Sequence, residues 1–166
     1  MKPPIRLFIA AMAAAAVVSG CAGLGTASAP RPAPDITVRL LSGKEVSLAS
    51  LRGRPTVIGV GATWCPHCMH EAPIFAEAYR RYKGRINMLG IIAKSSREDA
   101  ETFIKKTGLD FMIALDPDGS IAKRLGVTGF PSSFFIDREG YIVDENFGGV
   151  EKDDLFKKID NLLKEK

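Results

Sequence analysis

Apolar and polar positions alternate along the chain in two recurring ways, and together they predict a short series of strands and helices. Asp35 to Leu41 is rich in β-formers, Ser42-Gly43-Lys44 is a turn, and Glu45 to Leu48 returns; this is a hairpin signal. Thr56 to Gly61 is an apolar run between Pro55 and Trp64-Cys65-Pro66, and reads as a buried strand. Pro66 to Tyr82 has helical spacing, with Met69, Pro73, Ala76 and Tyr79 or Arg80 on successive turns. Pro73 inside it predicts a kink.

Ile86 to Ala93 is a second buried strand. Ser95 or Ser96 caps a helix running to about Lys106 and closed by Gly108. Phe111 to Leu115 is a short strand, Asp116 to Gly119 a turn, and Ile121 to Leu125 a short helix. Ser133 to Ile136 and Tyr141 to Asp144 form a hairpin across Asp137 to Gly140. Asp153 to Leu163 closes the chain as an amphipathic helix, with Leu155, Ile159, Leu162 and Leu163 on one face. Alternation followed by a hairpin predicts an α/β domain with a central mixed β-sheet and helices on both faces.

The first 34 residues follow different rules. Lys2 and Arg6, the apolar run Leu7 to Val18 and Ser19-Gly20 make a secretory signal over residues 1–20. Val18-Ser19-Gly20-Cys21 resembles a bacterial lipobox, in which the cysteine receives a diacylglycerol and becomes the first mature residue. Ala27-Ser28-Ala29 has the form of an ordinary cleavage site, but Pro30 follows it. Several acyl chains on Cys21 would make a durable membrane anchor. Residues 21–34, small and proline-rich, read as a lipidated tether, and residues 35–166 as the folded domain.

With 166 residues, the chain has room for one ordinary domain. Its net charge of +4 falls to +2 without Lys2 and Arg6, since 21 basic residues then face 19 acidic ones. That small, scattered excess offers nothing for nucleic acid. Three cysteines are too few for a disulfide-stapled mini-protein.

The candidate chemistry is concentrated in Trp64-Cys65-Pro66-His67-Cys68-Met69-His70, which holds the only tryptophan and both histidines. Cys65 follows a strand and opens a helix, so its sulfur faces unpaired N–H groups and the positive end of the helix dipole. That setting lowers a thiol pKa and favours a nucleophilic thiolate. Cys68, one turn on, is placed to attack a mixed disulfide at Cys65. Pro66 at the first helical position costs no hydrogen bond. A zinc site needs about four ligands from separated clusters, and here there is one cluster, so no metal is expected. Covalent haem would need histidine where Met69 stands. A structural disulfide over so short a loop would add little.

Trp64 to Cys68 after a strand resembles the thioredoxin superfamily. Ala62-Thr63-Trp64 before the cysteines and Glu71-Ala72-Pro73 after them narrow this to the exported TlpA/ResA-like thiol–disulfide oxidoreductases. Gly126 to Pro131 followed by Phe134 to Asp137 resembles their cis-proline loop and strand, and Ser42 to Leu48 their N-terminal hairpin. The resemblance implies a thioredoxin-like fold with a central αβ insertion over Ile86 to Leu115. It implies that Cys65 attacks and Cys68 resolves, with the Cys65–Cys68 disulfide as the redox centre and no other cofactor. Pro131 would be cis over the disulfide, and Phe130 would pair its backbone with substrate. Trp64 would shield the sulfur, and Glu71 would assist proton transfer at Cys68. The buried aspartate that thioredoxin carries six positions before its first cysteine is Gly59 here, which leaves Glu71 as the candidate acid.

The function implied is a membrane-tethered extracytoplasmic reductant of protein disulfides, for example in apocytochrome c, supplied by a membrane electron donor of the DsbD/CcdA type. Cys-Pro-His-Cys is also the DsbA sequence, and His67 between the cysteines pushes toward an oxidant. A peroxidase would need proline where Ile58 stands. A copper-binding module using Cys65, Cys68 and a histidine is the non-enzymatic alternative.

Overall fold

The computed structural model describes residues 29–164. The signal segment and Cys21 lie outside the described residues, and among those described no helix is long and apolar enough to cross a membrane. Besides a 3-10 turn at Leu48–Leu51, eight strands and four α-helices follow in chain order among the described residues: β1 (Arg31–Pro32), β2 (Thr37–Arg39), β3 (Glu45–Ser47), β4 (Thr56–Gly61), α1 (Pro66–Tyr82), β5 (Asn87–Ala93), α2 (Arg97–Thr107), β6 (Met112–Asp116), α3 (Ser120–Leu125), β7 (Ser132–Ile136), β8 (Tyr141–Phe147) and α4 (Lys152–Leu162).

Six strands form one sheet in the order β1-β8-β7-β4-β5-β6, with β4, β5 and β6 mutually parallel and β7, β8 and β1 joined antiparallel. This is the expected mixed sheet, and β4 lies in its middle. Its run Val57-Ile58-Gly59-Val60 is apolar on both sides because both faces are covered. Ile58 and Val60 join the cluster shared with the β2–β3 hairpin, while Val57 packs with α1 and α4. The hairpin is a separate two-stranded sheet that touches the β6 edge through Leu40 opposite Ala114.

The helices form for the reasons their sequences suggest. Ser96 caps α2 by accepting from the Asp99 N–H at 3.1 Å, and Gly108 ends it in the left-handed conformation at φ 71°. Helix α4 buries Leu155, Phe156, Ile159 and Leu162. Helix α1 continues through Pro73, which lies exposed on its outer side. Its buried face runs through Cys68, Glu71, Ala72, Phe75, Ala78 and Tyr82, with Ala76 also buried. Of the positions expected on successive turns, Ala76 is buried, Met69 and Tyr79 are half-buried, and Pro73 and Arg80 are exposed, so the buried stripe is displaced in part. A carboxylate and a cysteine occupy the inner face, so hydrophobicity alone marks it poorly.

The second departure lies at the start. Arg31 and Pro32, inside the segment read as tether, form an edge strand against Ile142 and Tyr141. Ala33 N–H donates to Gly140 O at 2.9 Å, and the Arg31 guanidinium meets the Glu145 carboxylate at 2.8 Å. Among the described residues, strand structure thus begins at Arg31, four positions before Asp35. Proline is tolerated because an edge strand leaves one side of its backbone unpaired. Strand β8 also runs three residues beyond the expected Asp144, to Phe147.

Candidate active site

The C-terminal end of β4 delivers the chain to the reactive turn. Cys65 is the N-cap of α1, and its sulfur accepts the Cys68 N–H at 3.2 Å. Pro66 takes the first helical position. Cys65 and Cys68 are joined as a disulfide, with Cα atoms 5.2 Å apart, and both are buried. The sulfurs therefore sit where the orphan N–H groups and dipole of a 17-residue helix favour an anion once the bond is reduced.

Three residues frame this pair on its outer side. Trp64 is 63% exposed, yet its Nε1–H donates to Lys94 O at 3.0 Å. Its ring meets the Phe130 ring edge-on, with centroids 5.9 Å apart. Phe130 packs against the cysteine cluster, and the Phe130–Pro131 bond is cis, as the resemblance implied. His67 and His70 both face solvent on the first turns of α1.

Behind the pair lies an apolar cavity of about 60 Å³, enough for more than one water. Cys68, Glu71, Gly59, Gly61, Phe103 and Pro131 are among its lining residues. Glu71 is only 5% exposed. Burial raises its carboxyl from the ordinary 4.5 to about 7; the Val150 N–H, donating to Oε2 at 3.3 Å, opposes this, and the nearby Glu151 charge adds to it. On the sheet side Gly59 carries no acid, and a Cβ there would stand 3.2 Å from the Phe75 ring; the carboxylate at this cavity comes from the helix, on Glu71.

The structure thus brings together Trp64, Cys65, Cys68, Glu71, Phe130 and Pro131, and leaves Pro66 and His67 on the exposed rim. Sequence reasoning missed Ser95. It is buried, not a cap; its hydroxyl donates to Ala93 O at 2.9 Å and accepts both the N–H and the Oγ1–H of Thr63 at 3.1 Å. It thereby fixes the segment just before Trp64. The Ser95-Ser96 pair offered two caps, and nothing local distinguished them.

Residues 30–145 match the AhpC/TSA family over more than half the chain. The chain belongs to this family. Within it, the chain is 32% identical over 126 residues to the thiol-disulfide oxidoreductase ResA of Bacillus thuringiensis subsp. konkukian, covering 75% of this chain and 73% of the relative. This AhpC/TSA member is accordingly a thiol–disulfide oxidoreductase of the ResA type. Among solved structures, it is similar to a putative thiol:disulfide interchange protein DsbE from Chlorobium tepidum, at 27% identity and a TM-score of 0.74, covering 81% of this chain and 96% of that one. It is also similar to the pneumococcal exposed lipoprotein thioredoxin Etrx1 from Streptococcus pneumoniae strain TIGR4, at 25% identity and a TM-score of 0.66, covering 77% of this chain and 99% of that one. The thioredoxin-like fold and the dithiol chemistry expected from the motif both hold.

Proposed function

We propose that the protein works outside the cytoplasm, held to a membrane by a lipid on Cys21, and reduces disulfides in other proteins. The observation that carries the catalytic part of this reading is the pairing of Cys65, at the N-cap of α1, with a buried Glu71 behind Cys68. The likeness to an exposed lipoprotein thioredoxin supports the location.

In the reduced state the Cys65 thiolate attacks one sulfur of a substrate disulfide. A Cys65–substrate bond forms, the substrate S–S bond breaks, and the other substrate sulfur leaves as a thiolate that takes a proton from water. The Cys68 thiol then passes its proton through the cavity toward the Glu71 carboxylate, which a carboxyl ionising near neutrality can accept. The Cys68 thiolate attacks the Cys65 sulfur: the Cys65–Cys68 bond forms, the Cys65–substrate bond breaks, and the second substrate sulfur leaves as a thiolate that takes a proton from water. The substrate leaves with two electrons more than it brought. Phe130 offers its backbone for the substrate to pair with as an added strand, and Pro131 holds that loop over the disulfide. A membrane donor of the DsbD/CcdA type would restore the dithiol, and apocytochrome c is a candidate substrate. Tethering raises the local concentration near such a donor.

Cys68→Ser removes the resolving thiol and should accumulate mixed disulfides at Cys65 that identify the substrate. Absence of adducts in membrane and periplasmic fractions would contradict the division of labour. The opposite direction, disulfide introduction, is favoured by His67 between the cysteines. The reduction potential of the pair decides between them: about −270 mV, as in thioredoxin, supports the reductant, and about −120 mV, as in DsbA, the oxidant.

A further inference from the structure

Four hydrogen bonds converge just past the end of β8, made by residues to which the exchange steps assign no part. Gly148 N–H donates to Pro131 O at 2.9 Å. Val150 N–H donates to Glu71 Oε2 at 3.3 Å. Between these two points, the side-chain amide of Asn146 donates to Gly148 O at 2.7 Å and to Gly149 O at 3.4 Å. A short stretch of backbone therefore runs from the carbonyl of the cis-proline to the buried carboxylate, and one side chain clamps it in the middle.

The residues of this turn suit the task. Gly148 has φ +101°, a conformation costly for any side chain. A Cβ on Gly149 would stand 3.8 Å from Glu71 Oε2, so the strap passes close to the acid without filling its space. Two consecutive glycines would otherwise leave the direction of the Val150 N–H loosely fixed. The Asn146 amide supplies the missing restraint by holding both glycine carbonyls.

We propose that Asn146 is a positioning residue: by clamping the Gly148–Gly149 turn it aims the Val150 N–H at Glu71, and ties the Phe130–Pro131 loop to that carboxylate. A hydrogen bond from N–H favours the charged carboxylate. Loosening the clamp therefore leaves Glu71 holding its proton to higher pH. The other groups around Glu71 do not supply this effect. Of the residues lining the cavity, Glu71 alone titrates in the oxidised protein, since Cys68 is held in the disulfide; β4, β5, α2 and β6 contribute glycines and apolar side chains. The charge at the start of α4, Glu151, acts in the opposite sense to the N–H bond.

This role rests on Glu71 being the acid that serves Cys68, and the test separates the two ideas. The oxidised protein is labelled with ¹³C at glutamate carboxyls, and Glu71→Gln identifies the Glu71 signal. Titration of that signal reads protonation directly, with or without catalysis. In Asn146→Ala the midpoint is expected to rise by about half a pH unit or more. Asn146→Ser, which keeps a shorter donor, should give a smaller rise, and it serves alone if the alanine variant does not fold. A midpoint unchanged in a folded variant overturns the proposal. The pH profile of exchange with dithiothreitol then tests Glu71 separately: if Glu71→Gln leaves that profile unaltered, the catalytic reading fails, while the titration still decides the role of Asn146.

Discussion

Gly61 on β4 passes directly under Cys68 on α1: a Cβ there would stand 3.2 Å from the Cys68 sulfur and 3.3 Å from its Cβ. Cys68 has little freedom to retreat, because it is buried in the first turn of a helix and bonded to Cys65. Gly61→Ala should therefore destabilise the oxidised protein by about 1–3 kcal/mol, the usual range for overpacking. Urea unfolding of the oxidised form checks this, and an unchanged midpoint would show that the site relaxes freely.

Glu71 makes stability depend on pH in a defined direction. Its carboxyl ionises at 4.5 in the ordinary case and at about 7 in the fold, chiefly because it is buried. The folded state thus binds the proton more tightly than the unfolded one. Below about pH 4.5 both states are protonated, and the contribution to stability is fully present. It is lost as pH rises through about 7, by at most about 3 kcal/mol. Glu71→Gln cannot ionise, so the variant should gain on the native protein steadily between pH 4.5 and 8. Unfolding free energies of both proteins at three pH values test this; a difference independent of pH would refute it.

Much of this architecture was legible because its signals are local. The apolar runs of β4 and β5, the Ser96 cap of α2 and the Cys65-Pro66 opening of α1 depend on neighbouring residues. So did the dithiol, since its two cysteines lie three positions apart. What escaped depends on distant partners. Arg31 and Pro32 look like tether until β8 offers a free edge more than 100 positions away. Val150 reaches Glu71 across 79 positions, and Ser95 reaches Thr63 across 32. No periodicity records such meetings.

Trp64 presents most of its ring to solvent and is held by one hydrogen bond to Lys94 O and by the edge of Phe130. So exposed a side chain adds little to stability, and Trp64→Ala should cost at most about 1 kcal/mol. Its position beside Cys65 concerns access instead. In the reduced variant, iodoacetamide should alkylate Cys65 faster than in the native protein, and the KM for a protein disulfide should rise more than kcat falls. Equal alkylation rates would show that the ring does not cover the sulfur.

Ser133 on β7 lies opposite Gly59, fully buried, and its hydroxyl has no partner among the described residues. A buried hydroxyl without a bond carries its full desolvation penalty, about 1–3 kcal/mol. Ser133→Ala removes that penalty and leaves a gap of only one atom. The variant should therefore equal the native protein in stability or exceed it by about 1 kcal/mol. Its near neighbour, Gly59, lines the cavity behind Cys68, which gives the opposite result a definite meaning. A loss of 1 kcal/mol or more on removing the hydroxyl, by about the amount one hydrogen bond contributes, would mean that Ser133 holds a water in or beside that cavity. Urea midpoints of the two oxidised proteins at one pH, with equal m-values, separate these outcomes.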